Sequence, residues 1–151
     1  MIYKKSWKYI LIKENYFYYR PKALKDFSNV HKNCIGGYVQ GYYNLSQSEN
    51  CWVYKEALIS EDARVFENAK VSGYAMIRDN ARIYGNAIVS GDAKVRGNAQ
   101  VTGNAIVTGN AVVTENSQIT DNACIGENAQ VSGNAKVSGH TIVSGFTSIK
   151  E

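Results

Sequence analysis

The sequence has little of what metal-binding, secreted or membrane proteins need. Its three cysteines are far apart and form no CxxC pair: Cys34, Cys51 and Cys124. That pattern predicts neither a disulfide framework nor a metal knuckle. The two histidines, His31 and His140, are too few for a three-histidine zinc site. The most apolar N-terminal run, residues 9–12, is too short for a signal peptide or a membrane span. We therefore expect no metal, no membrane and a reducing, cytoplasmic location.

Charge and aromatic residues divide the chain into two parts. Residues 1–34 hold eight basic and two acidic groups, whereas residues 35–151 hold nine basic and eleven acidic groups. Nine of the eleven tyrosines and both tryptophans lie at or before Tyr54. We therefore assign residues 1–34 to a basic, aromatic head and residues 35–151 to a second, nearly neutral domain.

From Val53 to the C-terminus the chain is a six-residue repeat. Its first position is Val or Ile at all seventeen sites from Val53 to Ile149, without an insertion. Backwards, the same phase continues more weakly to Ile35 through the units IGGYVQ, GYYNLS and QSENCW. Self-similarity at a fixed period is typical of solenoids. A helix is excluded because a period of six does not match 3.6 residues per turn and because Gly-Asn recurs throughout.

Each position of the repeat suits either a strand or a corner. The β-branched residue at position 1 favours a strand with its side chain inward. Position 5, which is mostly Ala, lies two residues before the next Val or Ile and shares its inner face. Positions 2 and 6 then point outward. Positions 3 and 4 are mostly Gly, Glu or Asp followed by Asn or Asp, which tolerate corner geometry. Three strands and three corners predict an all-β, triangular parallel β-helix with a small N-terminal β cap.

The repeat resembles the hexapeptide-repeat superfamily, whose unit is an aliphatic residue, often a Gly next, and a small residue at position 5. Residues 125–130 (IGENAQ) match it fully, while most other units carry Gly at position 3 rather than 2. The resemblance implies about 18 residues per coil, and hence about 6.5 coils in a rod on the order of 30 Å long. It also implies left-handed coiling, which we favour over the right-handed coils of bactofilins.

A narrower likeness covers both parts of the chain. Residues 23–27 (ALKDF), 35–39 (IGGYV), 44–47 (NLSQ) and 51–54 (CWVY) are similar to phage- and prophage-encoded hexapeptide proteins. In those proteins an aromatic head runs into Gly-Asn-Ala repeats, and many carry a transferase label. The likeness implies a bacterial or bacteriophage origin, and therefore the cytoplasm of a host bacterial cell.

His140 is the one candidate for a catalytic residue. Hexapeptide acyltransferases are trimers that use a histidine as general base near a subunit junction, with extruded loops that hold both substrates. His140 replaces Asn at a corner in the unit VSGHTI, but residues 53–151 contain no extruded loop. Thr141 replaces Ala in the same unit, which is typical of repeat decay. We therefore favour a non-enzymatic protein without a cofactor, with a trimeric acyltransferase-like enzyme as the alternative.

Residues 18 apart are expected to stack in columns along the solenoid. Corner residues such as Asn98 and Asn116 would then form amide ladders that stabilise the fold. One outward column at position 6 is mainly apolar: Lys70, Ile88, Ile106, Cys124 and Ile142. A second is polar: Arg64, Arg82, Gln100, Gln118 and Lys136. The third is mixed: Leu58, Met76, Lys94, Val112, Gln130 and Ser148.

The apolar column predicts an interface, because exposed contiguous apolar surface usually marks one. We assign to it Ile88, Ile106, Cys124 and Ile142, together with Phe146, which occupies a corner that Asn normally holds. We favour a homodimer or homotrimer over a foreign partner. The alternative is that the head or the C-terminal tail covers the column.

The head is expected to cap the first coils as two short strands or a hairpin. Its predicted surface combines basic and aromatic side chains: Lys4, Lys5, Trp7, Lys8, Tyr18, Tyr19 and Arg20. Such a mixture is also typical of single-stranded nucleic-acid binding. We favour a cap with solvated lysines over a nucleic-acid site.

Together these patterns predict a non-enzymatic, oligomerising or partner-binding solenoid. A narrower hypothesis is a phage protein that inhibits a host protein, for example one in a defence system, by direct binding. The alternatives are an acyltransferase-like enzyme and nucleic-acid binding through the head.

Overall fold

The computed structural model describes residues 7–151, which form strands, corners and one 3-10 turn at Tyr42–Asn44. The strands in chain order are β1 (Tyr9–Lys13), β2 (Tyr19–Ala23), β3 (Tyr38–Val39), β4 (Trp52–Val53), β5 (Leu58–Ile59), β6 (Arg64–Val65), β7 (Lys70–Val71), β8 (Met76–Ile77), β9 (Arg82–Ile83), β10 (Ile88–Val89), β11 (Lys94–Val95), β12 (Gln100–Val101), β13 (Ile106–Val107), β14 (Val112–Val113), β15 (Gln118–Ile119), β16 (Cys124–Ile125), β17 (Gln130–Ser132), β18 (Lys136–Val137), β19 (Ile142–Val143) and β20 (Ser148–Lys150).

These strands stack into three sheets, one for each side of a triangular coil. Sheet I has the order β1-β2-β3-β5-β8-β11-β14-β17-β20, sheet II has β4-β7-β10-β13-β16-β19, and sheet III has β6-β9-β12-β15-β18. From β4 onward each strand pairs in parallel with the strand three further along the chain, so that Ile88 lies beside Ile106 and Val89 beside Val107. The prediction of a triangular parallel β-helix with 18 residues per coil is confirmed.

The core is a column of small and β-branched side chains inside the triangle. From Ala57 to Ala135, the residues at positions 1 and 5 are at most 4 % exposed. Ser117 replaces Ala at position 5 and is equally buried, and its hydroxyl donates a hydrogen bond to the Thr114 carbonyl. The one polar side chain in this column is therefore satisfied within its own turn.

Corner position 3 adopts the left-handed backbone region throughout the regular coils. Gly91 has φ +64° and Asp121 has φ +56°, and the other position-3 residues from Glu61 to Gly145 behave alike. Glycine reaches this region without a steric penalty, and Asp enters it more readily than most residues. This backbone requirement explains the Gly and Asp residues that the repeat places there, whereas glutamates such as Glu67 adopt the same conformation without that preference.

Acidic and amide side chains at the corners bond along the solenoid axis. The Asp79 carboxylate accepts a hydrogen bond from the Gly97 N–H at 2.9 Å, and Asp121 accepts one from Gly139 at 2.9 Å. Two asparagine pairs form ladder steps, Asn98 to Asn116 at 3.2 Å and Asn110 to Asn128 at 3.3 Å. These bonds join each coil to the next on its solvent side.

The first coil departs from the predicted phase. Val39 pairs with Ile59 and Leu45 bridges to Val65, which places each inner residue 20 positions before its partner. Val53 pairs with Val71 at the regular spacing of 18. The prediction that the six-residue phase continues unbroken back to Ile35 is therefore wrong, because two extra residues lie between Leu45 and Val53.

The head extends sheet I beyond the first coil. Strands β1 and β2 form an antiparallel hairpin, and β2 pairs with β3 through Tyr19 and Val39, which confirms the predicted hairpin cap. Gln47, in the lengthened first coil, accepts hydrogen bonds from the backbone N–H groups of Lys8 and Tyr9 at 2.8 and 3.1 Å. Its amide donates to the Tyr9 carbonyl at 3.0 Å. The segment that breaks the repeat is thus the one that anchors the head.

Candidate functional site

Sheet II carries the predicted apolar column on its outer side. Ile88, Ile106, Cys124 and Ile142 lie in register on four successive strands. Ile88 and Ile106 are each 38 % exposed, and Ile142 is 73 % exposed. Because paired strands lie about 4.8 Å apart, the column is about 14 Å long.

A row of small residues lies beside this column. Two residues further along each strand stand Ser90, Thr108, Gly126 and Ser144. The Ser90 hydroxyl donates to the Thr108 hydroxyl at 3.0 Å. We call these four residues and the four of the apolar column the sheet II face. None of its eight residues is charged, whereas the outer sides of the other sheets carry Arg82 and Lys94 at neighbouring levels.

The head covers the start of the sheet II column and leaves the sheet II face exposed. Trp52 lies beside Lys70 on sheet II, one coil before the column begins. Its side chain is buried, and its ring contacts that of Phe27 with the centroids 5.3 Å apart. Lys70, the first residue of the column, donates through Nζ to the Ser28 hydroxyl at 3.4 Å. The exposed column begins at Ile88, beside a groove of about 230 Å³ that Ser28 and Lys70 also line.

Phe146 and His140 lie at the two corners that flank the last strand of this face. Phe146 is 88 % exposed, and within residues 7–151 its ring stacks on no other aromatic ring. His140 is exposed in a corner of regular geometry, where the Thr141 N–H bonds to the Ser138 carbonyl as in other coils. The structure brings no second titratable side chain into hydrogen-bond contact with His140 among the residues it describes.

No group of three or more His, Cys, Asp or Glu side chains in residues 7–151 is arranged to hold a metal ion. Over the same residues, no helix combines the length and the apolar character needed to cross a bilayer.

Lys8, which the sequence placed on the head surface, is buried, and this part of the prediction is wrong. It is 1 % exposed, and its Nζ donates to the Cys51 carbonyl at 2.8 Å and lies 3.3 Å from the Cys51 Sγ. Burial lowers the pKa of Lys8 and raises the pKa of the Cys51 thiol. The carbonyls of Ser48 and Glu49, each 3.4 Å from Nζ, replace part of the lost hydration. Lys8 therefore fastens the head to the lengthened first coil.

The other residues of the predicted head surface are partly buried in contacts within the cap or with the first coil. Trp7, Tyr18, Tyr19 and Arg20 are half-buried, while Lys4 and Lys5 lie outside the described residues. The Arg20 guanidinium lies 4.5 Å from the centroid of the Tyr38 ring and donates through Nε to the Gly36 carbonyl at 2.9 Å. This cation is engaged with the head–coil junction.

Sequence reasoning missed a groove on the outer side of sheet III. Arg64 and Arg82 line it with Phe66, Val65, Tyr43 and Ser46, and its volume is about 390 Å³. The signal was present, because Arg64 and Arg82 are 18 residues apart, as are Phe66 and Tyr84. The near-neutral charge of residues 35–151 concealed it, because the acidic groups lie mostly at corners and the basic groups mostly on the flat sides.

Comparison with known families adds one likeness. A family model described as the YdcK beta solenoid repeat matches residues 81–97, 99–115 and 129–145, together about a third of the chain. Each matched stretch is close to one coil in length and lies within the regular part of the solenoid. The chain is thus similar to this repeat over those coils. No curated protein matches the chain.

Proposed function

We propose that this chain is a non-enzymatic β-solenoid that associates through its sheet II face, with a second copy of itself as the partner. The observation that supports this is an exposed, uncharged face that is apolar over four successive coils. Removing apolar surface from water drives association, and the absence of charge means that no buried ion pair is needed. A rigid solenoid also loses little conformational entropy on binding.

We infer that two such faces pack against each other. Sheets pack face to face about 10 Å apart when their side chains interdigitate. A column of Ile, Ile, Cys and Ile beside a row of Ser, Thr, Gly and Ser offers ridges and shallow hollows in alternation. In an antiparallel twofold pair, Ile88 meets Ile142 of a second copy and Ile106 meets its Cys124. Phe146, at the edge of the same face, would add contact area.

A narrower proposal concerns origin and purpose. The resemblance to phage and prophage proteins supports a phage-encoded protein that acts in the cytoplasm of a bacterial host. Its small size and single uncharged face would suit an inhibitor that binds a host protein, including a defence protein. In that case the sheet II face, or the surface of the oligomer that it builds, would contact the host protein.

Light scattering tests the proposal with two matched variants. Ile106→Lys places a charge in the centre of the sheet II face, while Val112→Lys makes the same kind of change at position 6 of the next strand, on sheet I. We expect the wild type and Val112→Lys to share an oligomeric mass, and Ile106→Lys to fall to the monomer. A monomeric wild type, or one unaffected by Ile106→Lys, would refute the proposal. Clear binding of acetyl-coenzyme A in calorimetry would favour the acyltransferase-like alternative instead.

A further inference from the structure

The groove on sheet III carries two cations that no residue neutralises among those the structure describes. Arg64 and Arg82 stand on paired strands, in register one coil apart, and both are exposed. Within residues 7–151 neither guanidinium forms a salt bridge or hydrogen bond. The nearby Glu67 carboxylate is engaged, because it accepts the Gly85 N–H at 3.2 Å. Arg64 and Arg82 stand on strands about 4.8 Å apart, and like charges on neighbouring strands repel each other and favour an anion between them.

An aromatic stack runs beside these cations. Phe66 and Tyr84 lie two residues beyond Arg64 and Arg82, and their rings are nearly parallel, with centroids 4.8 Å apart and an interplanar angle of 4°. The Tyr84 hydroxyl donates to Gln100 Oε1 at 2.9 Å, which fixes the second ring of the stack. This bond and the stacking contact position both rings before any ligand binds.

The stack ends at a small residue. Leu45 lies beside Val65, so Ser46 occupies in the first coil the place that Phe66 and Tyr84 hold in the next two. The backbone confirms the equivalence, since the Ser46 N–H bonds to the Val65 carbonyl as the Phe66 N–H bonds to the Ile83 carbonyl. The free side of the Phe66 ring thus faces a space about one coil high, which Tyr43 also lines. A planar ring in that space would continue the aromatic column.

We propose that this groove binds a nucleotide, with the base stacked on Phe66 above Ser46 and the phosphate held by Arg64 and Arg82. Guanidinium groups are well suited to phosphate because they offer paired donors in a fixed plane. Base stacking on an aromatic ring accepts any base, because every base has a π face. The groove's volume of about 390 Å³ falls in the range of small-ligand sites. The proposal concerns a different face from the one proposed for association and does not depend on it.

The base and phosphate that this groove would bind can belong to a free nucleotide or to one nucleotide of a single-stranded nucleic acid. Arg78, Lys94 and Arg96 line a second basic groove on sheet I, across the corner from Arg82, and would extend a contact with a strand's backbone. A free nucleotide needs only the sheet III groove. The two sources therefore differ in their dependence on the sheet I cations.

Calorimetry with AMP, adenosine and inorganic phosphate, and fluorescence anisotropy with a short labelled oligo-dT, would test the proposal on the full chain. Ser46→Phe should fill the space with a third ring and block the base without removing a charge. Arg64→Gln with Arg82→Gln removes the phosphate contact. Lys94→Gln with Arg96→Gln is the matched control, because it removes the same charge from sheet I.

We expect AMP to bind more tightly than adenosine or phosphate alone, and binding to weaken about tenfold or more in Ser46→Phe and in the double Arg64 and Arg82 variant. The sheet I control should keep AMP affinity. If oligo-dT binds and AMP does not, and the sheet III variants abolish that binding, the source is a strand and the site stands. Absence of binding by both probes, or binding that Ser46→Phe leaves unchanged, would overturn the proposal. Equal losses of AMP affinity in the sheet I control and the sheet III pair would do the same, because they would indicate general charge attraction.

Discussion

At the scale of single residues, corner position 3 controls how closely the coils stack. Gly91 has φ +64°, and a Cβ there would lie 2.9 Å from both the N and the O of Gly109 in the next coil. Gly145 has the same φ, but a Cβ there would meet no atom within 4 Å. Where the repeat has Asp at this position, the carboxylate accepts the next coil's N–H, as Asp79 does from Gly97. At Asp79 and Asp121 this bond offsets the crowding that a side chain at position 3 causes.

Substitutions at Gly91 separate these effects. We expect Gly91→Ala to lower the free energy of unfolding by about 1–3 kcal/mol, because strain and crowding combine. Gly91→Asp should lower the free energy of unfolding by only about 1 kcal/mol, because its carboxylate can accept a hydrogen bond from the Gly109 N–H. Gly145→Ala is the control for backbone strain without crowding. Urea unfolding measures all three, and equal losses for Gly91→Ala and Gly145→Ala would contradict a role for crowding.

At the scale of elements, the sequence predicted the regular coils and missed how the solenoid begins. The Val or Ile at every sixth residue from Val53 was sufficient to predict these coils, because the alternation within each short strand decides which side chains point into the core. The first coil was misassigned because Gly41 and Gln47 stand where the predicted phase needed aliphatic residues. The spacing from Leu45 to Val53 is eight, which was the available signal. The burial of Lys8 could not be predicted, because the carbonyls that surround it come from residues 48–51.

Gln47 is the side chain through which the lengthened coil holds β1. We expect Gln47→Ala to cost about 2–3 kcal/mol, because it removes three hydrogen bonds and leaves the Lys8 and Tyr9 N–H groups without acceptors. Hydrogen exchange should show β1 and β2 losing protection while β9 to β18 keep theirs. Gln118→Ala, on the outer side of sheet III, is the control. Uniform loss of protection along the whole chain would contradict a local anchoring role.

At the scale of the whole molecule, the head and the solenoid are joined by groups whose protonation changes on unfolding. Burial lowers the pKa of Lys8 below its usual 10.5, and it raises the pKa of Tyr9 and of Cys51. A base with a lowered pKa binds fewer protons in the folded state, so its contribution to stability rises with pH up to about 10.5. The two acids act in the opposite sense at about pH 9 and above.

The variant Lys8→Met keeps Tyr9 and Cys51, so a comparison with it isolates the Lys8 effect from the two acids. We expect the free energy of unfolding of the wild type, relative to Lys8→Met, to rise as the pH approaches 10.5. Urea unfolding of both proteins at several pH values between 7 and 10.5 gives the difference directly. A difference that does not change with pH would show that Lys8 titrates alike in the folded and unfolded chain.

Disulfide cross-linking can test directly whether two sheet II faces meet, because Cys124 lies near the centre of the face. Two proteins are compared, both carrying Cys34→Ser: one with the wild-type sheet II face and one with Ile106→Cys. Each is treated with a mild oxidant, and monomer and covalent dimer are separated by non-reducing gel electrophoresis. A parallel pair brings Cys124 to Cys124 of the second copy, and an antiparallel pair brings the thiol introduced by Ile106→Cys to Cys124. We expect a covalent dimer in at least one of the two proteins. The control carries Cys34→Ser, Cys124→Ser and Tyr74→Cys, so that its one introduced thiol lies off the sheet II face, and we expect no covalent dimer from it. No covalent dimer in either face protein, or equal dimer in the Tyr74→Cys control, would contradict association through this face.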